Sequence, residues 1–180
     1  MDATRRLIVC AAALGLVLPL PGCGYSLAGR GSFLPSYIKV IGVPNFTNAT
    51  AVYDVERRLT ERVRAEFIGR GKYTVRSDAA GVDALVTGEI LSITLTPAAF
   101  TDQRQASRYL LTLSAKIEFR DVKADKVLWS NPSMQFSEEY DITSTTTPDP
   151  TAFFGQDANA LDRLAQEFAR SIVNAILEAF

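Results

Sequence analysis

The chain has 180 residues, 47% hydrophobic and 22% charged, with a formal charge of −1. Those proportions suit one ordinary globular domain and exclude a disordered, collagenous or general nucleic-acid-binding chain. Histidine is absent and both cysteines, Cys10 and Cys23, fall within the first 23 residues, which removes Ser-His-Asp and Cys-His catalysis, imidazole zinc sites, and any disulfide or thiolate metal cluster in the body.

Arg5 and Arg6 precede Leu7 to Leu20, fourteen residues without a charge. That run is shorter than the roughly 20 apolar residues a transmembrane helix needs, and a positive start with a short apolar core reads as a secretory signal peptide. A buried N-terminal helix is the competing reading; the run shows no polar face, and Pro19 and Pro21 close it. Arg5-Arg6 suggests twin-arginine export only superficially, since the rest of that motif is missing. Leu20-Pro21-Gly22-Cys23 resembles the lipobox of bacterial lipoproteins, in which the thiol is diacylglycerated, the signal is cut before the cysteine, and the new amino group is acylated. Pro21 stands where that motif usually has Ala or Ser. After such a cut Cys23 is the one thiol left and has no partner in its own chain, which fits a modified cysteine. Buried acyl methylenes contribute about 0.8 kcal/mol each, and two chains already anchor a protein stably. Gly24, rather than Asp, follows the cysteine, which by resemblance to known sorting rules favours the outer membrane. The expected organisation is a signal peptide over 1–22, a lipidated tether over 23–36 and a single domain over 37–180. Removing residues 1–22 takes Asp2, Arg5 and Arg6 with it and shifts the formal charge from −1 to −2.

Tyr37 to Val43 is a β-branched run stopped by Pro44, read as a largely buried strand. Asn45 to Thr50 is turn-rich and a source of a helix N-cap; its two Asn-x-Thr triplets match a glycosylation sequon, which a bacterial lipobox makes irrelevant. From Val52 to about Arg70, Val52, Val55, Leu59, Val63 and Phe67 recur at helical spacing, with Gly69 or Gly71 ending the pattern. Arg57–Glu61, Arg62–Glu66 and Glu66–Arg70 are opposite charges four residues apart, so the arginines read as a solvated helix face rather than an anion site. Tyr73 to Val75 is a short strand. Asp83 to Thr96 is a long one whose alternation changes phase near Gly88, where a bulge fits. The cleanest alternation runs from Tyr109 to Phe119, with Tyr109, Leu111, Leu113, Ala115, Ile117 and Phe119 on one face and Thr112, Ser114, Lys116 and Glu118 on the other. After the turn Asp121–Lys126, Val127 to Trp129 and Met134 to Tyr140 form a partner strand that Pro132 marks as an edge or a bulge. Asp141 to Gln156 reads as a long loop, and Leu161, Leu164, Phe168, Ile172, Ala175, Ile176 and Ala179 form a second amphipathic stripe.

The order β-α-β-β-β-β-α predicts an α+β, two-layer sandwich: two helices packed on one face of a mixed, mostly antiparallel sheet, with one right-handed crossover and a polar face left over. No catalytic, cofactor-binding or metal-binding residue is nominated. The glycine pairs at Gly29/Gly31 and Gly69/Gly71 lack the spacing and strand-to-helix context of a phosphate loop, and Glu138, Glu139 and Asp141 read as a solvated strand end rather than a glycosidase pair.

Cys23-Gly24-Tyr25 and the phrases IKVIGVPNFTNAT, VERRLTERVRAEFIGRGKYTV, DALVTGEILSITLT and RYLLTLSAKIEFRDVKADKVLWS together resemble the LptE-type lipopolysaccharide-assembly lipoproteins, in order across nearly all of the body. The resemblance implies a non-enzymatic outer-membrane lipoprotein that plugs a large β-barrel lipopolysaccharide translocon of the LptD type, helps that barrel assemble, and binds lipopolysaccharide for delivery to the cell surface. It implies no cofactor and no nucleic acid, contact with the membrane through the lipid on Cys23, and two helices on a mixed sheet. It also implies lipopolysaccharide contacts at basic residues near the sheet's loop ends, here Arg104, Arg108, Lys123 and Lys126; as exposed loop charges these need no function at all. A lipoprotein that faces the periplasm and activates a cell-wall synthase, or serves in a secretion complex, is the alternative, because such proteins also open with a strand like IKVIGVPNF.

Overall fold

A computed structural model describes residues 34–100, 106–141, 151, 154 and 158–179, all within one unit, Ser32–Phe180. The expected signal peptide over 1–22, Cys23 and most of the expected tether, Arg104, and most of the expected loop after Asp141 lie outside the described residues. Among the described residues, six strands and two long helices follow in the order β1 (Val40–Gly42), β2 (Thr47–Asn48), α1 (Val55–Gly69), β3 (Thr74–Arg76), β4 (Ala84–Phe100), β5 (Ala106–Asp121), β6 (Lys126–Asp141) and α2 (Ala158–Glu178).

The sheet runs β3-β1-β4-β5-β6, with β2 also paired to β4. β1 lies between β3 and β4 and is parallel to both, while β4, β5 and β6 form a long antiparallel meander. Both helices pack on one face of this mixed sheet, as periodicity predicts. In α1 the stripe Val55, Leu59, Val63 and Phe67 is wholly buried, and β5 buries its alternate residues from Tyr109 to Phe119. The α2 helix buries more than a narrow stripe: Ala160, Ala165, Ala169 and Val173 are enclosed with Leu161, Leu164, Phe168, Ile172 and Ile176, because the helix packs against both α1 and the sheet. Ala175 is only half-buried and Ala179 is exposed, so the predicted stripe is shifted rather than extended at its end.

Several local expectations need correction. The Asn/Thr-rich stretch after Pro44 is not turn alone: Thr47–Asn48 pairs in parallel with Glu89–Ile90, a sixth strand created by a distant partner rather than by its own composition. It also supplies no N-cap. Asp54 occupies that position in the left-handed region (φ 66) without a side-chain cap, while the Asn48 amide donates to the Val52 carbonyl and to Glu56. The first strand is shorter than Tyr37–Val43, since Ile38 N–H turns back to the Pro35 carbonyl. The phase change in β4 comes at Leu91, between Ile90 and Ser92, and not at Gly88. Gly88 instead answers a close approach, because a Cβ there would lie 2.8 Å from the Phe46 ring. In β6 the strand continues through Pro132: Pro132 and Ser133 together oppose the single Lys116, a bulge on an edge strand where the missing N–H costs nothing. Of the predicted helix pairs, Arg57–Glu61 (3.0 Å) and Arg70–Glu66 (2.8 Å) form, whereas Arg62 turns to Asp162 of α2. The α1 helix ends at Arg70, and Gly71 (φ 68) takes the left-handed position past it.

Candidate functional site

The helices leave one face of the β4-β5-β6 meander uncovered, and its chemistry is uniform over much of its length. Thr94, Thr112 and Ser137 stand side by side across the three strands, as do Ser92, Ser114 and Gln135 in the next row. Thr112 and Ser137 hydroxyls meet at 3.0 Å, and Ser114 and Ser133 at 3.1 Å. Ser114, expected on an exposed face, is buried in the middle strand by these neighbours. Charges appear on this face toward its two ends: Arg108 and Glu139 at one, and at the other Glu89 opposite Lys116, then Glu118 and Arg120. Arg120 pairs with Glu118 (3.1 Å) and Asp125 (2.9 Å). Lys116, Glu89 and Glu118 border a shallow cleft of about 270 Å³ with Asn45 and Thr47.

At the end marked by Glu118 and Arg120, which we call the base, the N-terminal segment is fastened to the sheet. Asp121 is almost fully buried; it receives the Tyr37 hydroxyl and the N–H groups of Lys123 and Ala124 (2.9 Å each). The Tyr37 hydroxyl, followed by the Ala124 N–H, holds the Asp121 carboxyl below the usual range against the opposing effect of burial, and Asp121 in turn raises the Tyr37 phenol. Beside it, Asp83 accepts from the N–H groups of Lys39 and Val40 (2.9 Å each) and pairs with Lys123 at 2.6 Å. The Lys123 ammonium, then the two backbone donors, hold Asp83 well below the ordinary carboxylate range. The same ammonium lies 5.9 Å from the centre of the Tyr37 ring.

At the opposite end, the tip, Arg108 reaches Glu139 at 3.2 Å. Tyr140 donates to Glu138 (2.8 Å), with the Ala160 carbonyl of α2 at 3.3 Å, and the Arg163 guanidinium sits 5.4 Å over its ring. Burial is the main cause of a raised Tyr140 phenol.

The residues nominated from the sequence therefore fall into two groups. Arg108 stands at the tip, Lys123 and Lys126 at the base, and the strand between them spans on the order of 40 Å at about 3.3 Å per residue. No single small ligand touches both groups. Within the base the two lysines differ: Lys123 is engaged by Asp83 and Tyr37, while Lys126 is exposed at the start of β6. Missing from the nominations were Tyr37, Asp83 and Asp121: Tyr37 and Asp121 meet across 84 positions of sequence, and Asp83 meets Lys39 across 44. Only the isolation of Asp83 and Asp121 at strand ends signalled them.

The lipopolysaccharide-assembly (LptE) family model matches residues 38–176. Among solved structures the fold is similar to that of a hypothetical protein from Chlamydia trachomatis, with TM-score 0.54, 11% identity, and coverage of 78% of this chain and 97% of that one. It is similar to PelC of Paraburkholderia phytofirmans, a dodecamer in its structure (TM-score 0.51, 16% identity, 83% and 94% covered), and to a protein from Xanthomonas campestris (TM-score 0.51, 14% identity, 78% and 84% covered). At such identities the likeness is one of fold. Among curated proteins none matches. No helix among the described residues is long and apolar enough to cross a membrane.

Proposed function

This chain belongs to the LptE family of lipopolysaccharide-assembly lipoproteins, and from that membership we propose that it is anchored in the outer membrane through acylated Cys23, plugs and helps assemble a β-barrel translocon of the LptD type, and binds lipopolysaccharide in transit. Residues 1–22 act as the signal peptide, 23–36 as the tether and 37–180 as the plug domain. The observation that carries this reading is the reach of the family match, which takes in every described strand, α1 and all but the last two residues of α2.

The role is steric and electrostatic rather than catalytic. A two-layer body with its core sealed between helices and sheet keeps its shape inside a lumen. The uncovered hydroxyl rows of β4, β5 and β6 suit a polar wall, because serine and threonine donate and accept without the cost of desolvating a charge. Cations near the strand ends, Arg104, Arg108, Lys123 and Lys126, are the candidates for lipopolysaccharide phosphates.

Affinity purification from detergent-solubilised outer membranes tests the reading. A large, heat-modifiable β-barrel should co-purify. Recovery of a peptidoglycan synthase or a secretion subunit in its place overturns the translocon assignment.

A further inference from the structure

At the base of the sheet the segment before β1 and the connection from α1 to β3 meet around a cleft of about 540 Å³. Two lysines from these separate segments, Lys39 and Lys72, line it, and neither makes an ion pair with any described residue. No acidic side chain is among the lining residues, in a chain whose overall charge is negative. The remaining wall is mixed: Ser36 and Thr74 add hydroxyls, while Leu34, Pro35, Ile38 and Tyr73 form an apolar part in which burial raises the Tyr73 phenol. Hydroxyls and an apolar patch beside two ammonium groups that no described carboxylate pairs with fit a phosphate carried on an amphiphile better than a free, fully hydrated ion. Leu34 also follows Cys23 by eleven residues, a length that reaches at most about 40 Å when extended.

We propose that this cleft binds the head-group phosphate of an anionic phospholipid in the leaflet that holds the acyl chains of Cys23. The choice of a membrane lipid rests on the reading of Cys23 as acylated; the cleft itself does not. Bound in this way, the lipid gives the base a defined orientation against the membrane. The competing role for Lys72 is local, since a cation just past a helix C-terminus favours the helix dipole.

The test is calorimetric titration of the mature acylated chain in dodecyl maltoside with dihexanoyl phosphatidylglycerol, dihexanoyl phosphatidylcholine, lipopolysaccharide and inorganic phosphate. Phosphatidylglycerol should bind, less well as salt is raised. The double variant Lys39→Gln/Lys72→Gln should weaken it at least tenfold, Lys39→Arg/Lys72→Arg should retain it, and Lys116→Gln, away from the cleft, should leave it unchanged. Lys39→Gln alone serves if the double variant does not fold. Inorganic phosphate binding as tightly as the lipid overturns the proposal, as does lipopolysaccharide binding through these lysines without phosphatidylglycerol binding. A lower Tm with unchanged binding assigns Lys72 to the helix end and overturns it too. The intact mass of the same preparation reports on Cys23 separately: an unacylated chain that binds refutes the anchor alone, and an acylated chain that does not bind refutes the cleft alone.

Discussion

Gly88 of β4 lies directly against the ring of Phe46, so close that a Cβ at position 88 would stand 2.8 to 2.9 Å from three ring carbons. The ring has little room to retreat, because it also packs on Phe168 of α2 at 6.3 Å between centroids, and Phe168 in turn meets Phe136 at 4.8 Å. Gly88→Ala should therefore destabilise the fold by about 1–3 kcal/mol, the usual cost of overpacking. In a Phe46→Ala background the clash is gone and alanine is the better strand residue, so the same change should become neutral or stabilising. Urea denaturation of the four proteins in this cycle reads the reversal directly.

Thr60 is a second support for Phe46. Its hydroxyl, fully buried in α1, accepts the Phe46 N–H at 3.0 Å while donating to the Glu56 carbonyl at 2.6 Å. Thr60→Val keeps the shape and leaves a buried N–H without an acceptor, at about 1–3 kcal/mol. Thr60→Ser keeps the hydroxyl and should cost clearly less. A larger loss for Thr60→Ser than for Thr60→Val, measured by the same denaturation, would mean that the methyl group rather than the hydrogen bond matters.

Acid should loosen the base before the rest of the sheet. Asp83 and Asp121 both have carboxyls held below the ordinary aspartate value of about 3.9, so the unfolded chain takes up their protons first as pH falls. Their stabilisation is complete above that value and is lost as pH drops through the lower folded ones. Asp83→Asn should flatten the dependence of Tm on pH below about 4. With no histidine in the chain, Tm should change little between about pH 6 and 8.

Charge reversal at the nominated cations should separate binding from folding. Lys126→Glu and Arg104→Glu should lower lipopolysaccharide affinity without shifting Tm. Lys123→Glu should also lower Tm, because it sets a third carboxylate beside Asp83 and Asp121 in place of their shared cation. Unchanged affinity in a pull-down on lipopolysaccharide-coated beads removes these residues from the mechanism.

Periodicity alone was sufficient for the apolar stripes of β5 and α1, though not for Ser114 and Thr60, which are buried beside them. It was insufficient where the cause is distant. β2 exists through pairing with Glu89 and Ile90, Gly88 is required by a ring 42 positions earlier, and Arg62 abandons its neighbour Glu66 for a carboxylate 100 residues away. The cations followed the same pattern. A list of loop lysines and arginines does not distinguish Lys123, held by Asp83, from Lys126, nor reveal that Arg108 stands at the other end of the strand. Family resemblance supplied what periodicity lacked about the role, and it did so through phrases spread over the whole body rather than through any one motif.

The strand that leads out of the domain toward Cys23 is an interior strand, and this has a mechanical consequence. Where a pull on the chain before Leu34 is directed along β1, it meets a strand flanked by β3 on one side and β4 on the other. Such a load cannot peel an edge open one hydrogen bond at a time. It must slide β1 past both neighbours together, after first breaking the Tyr37–Asp121 latch. Drag on the body is thereby met in shear, the direction in which a sheet yields least.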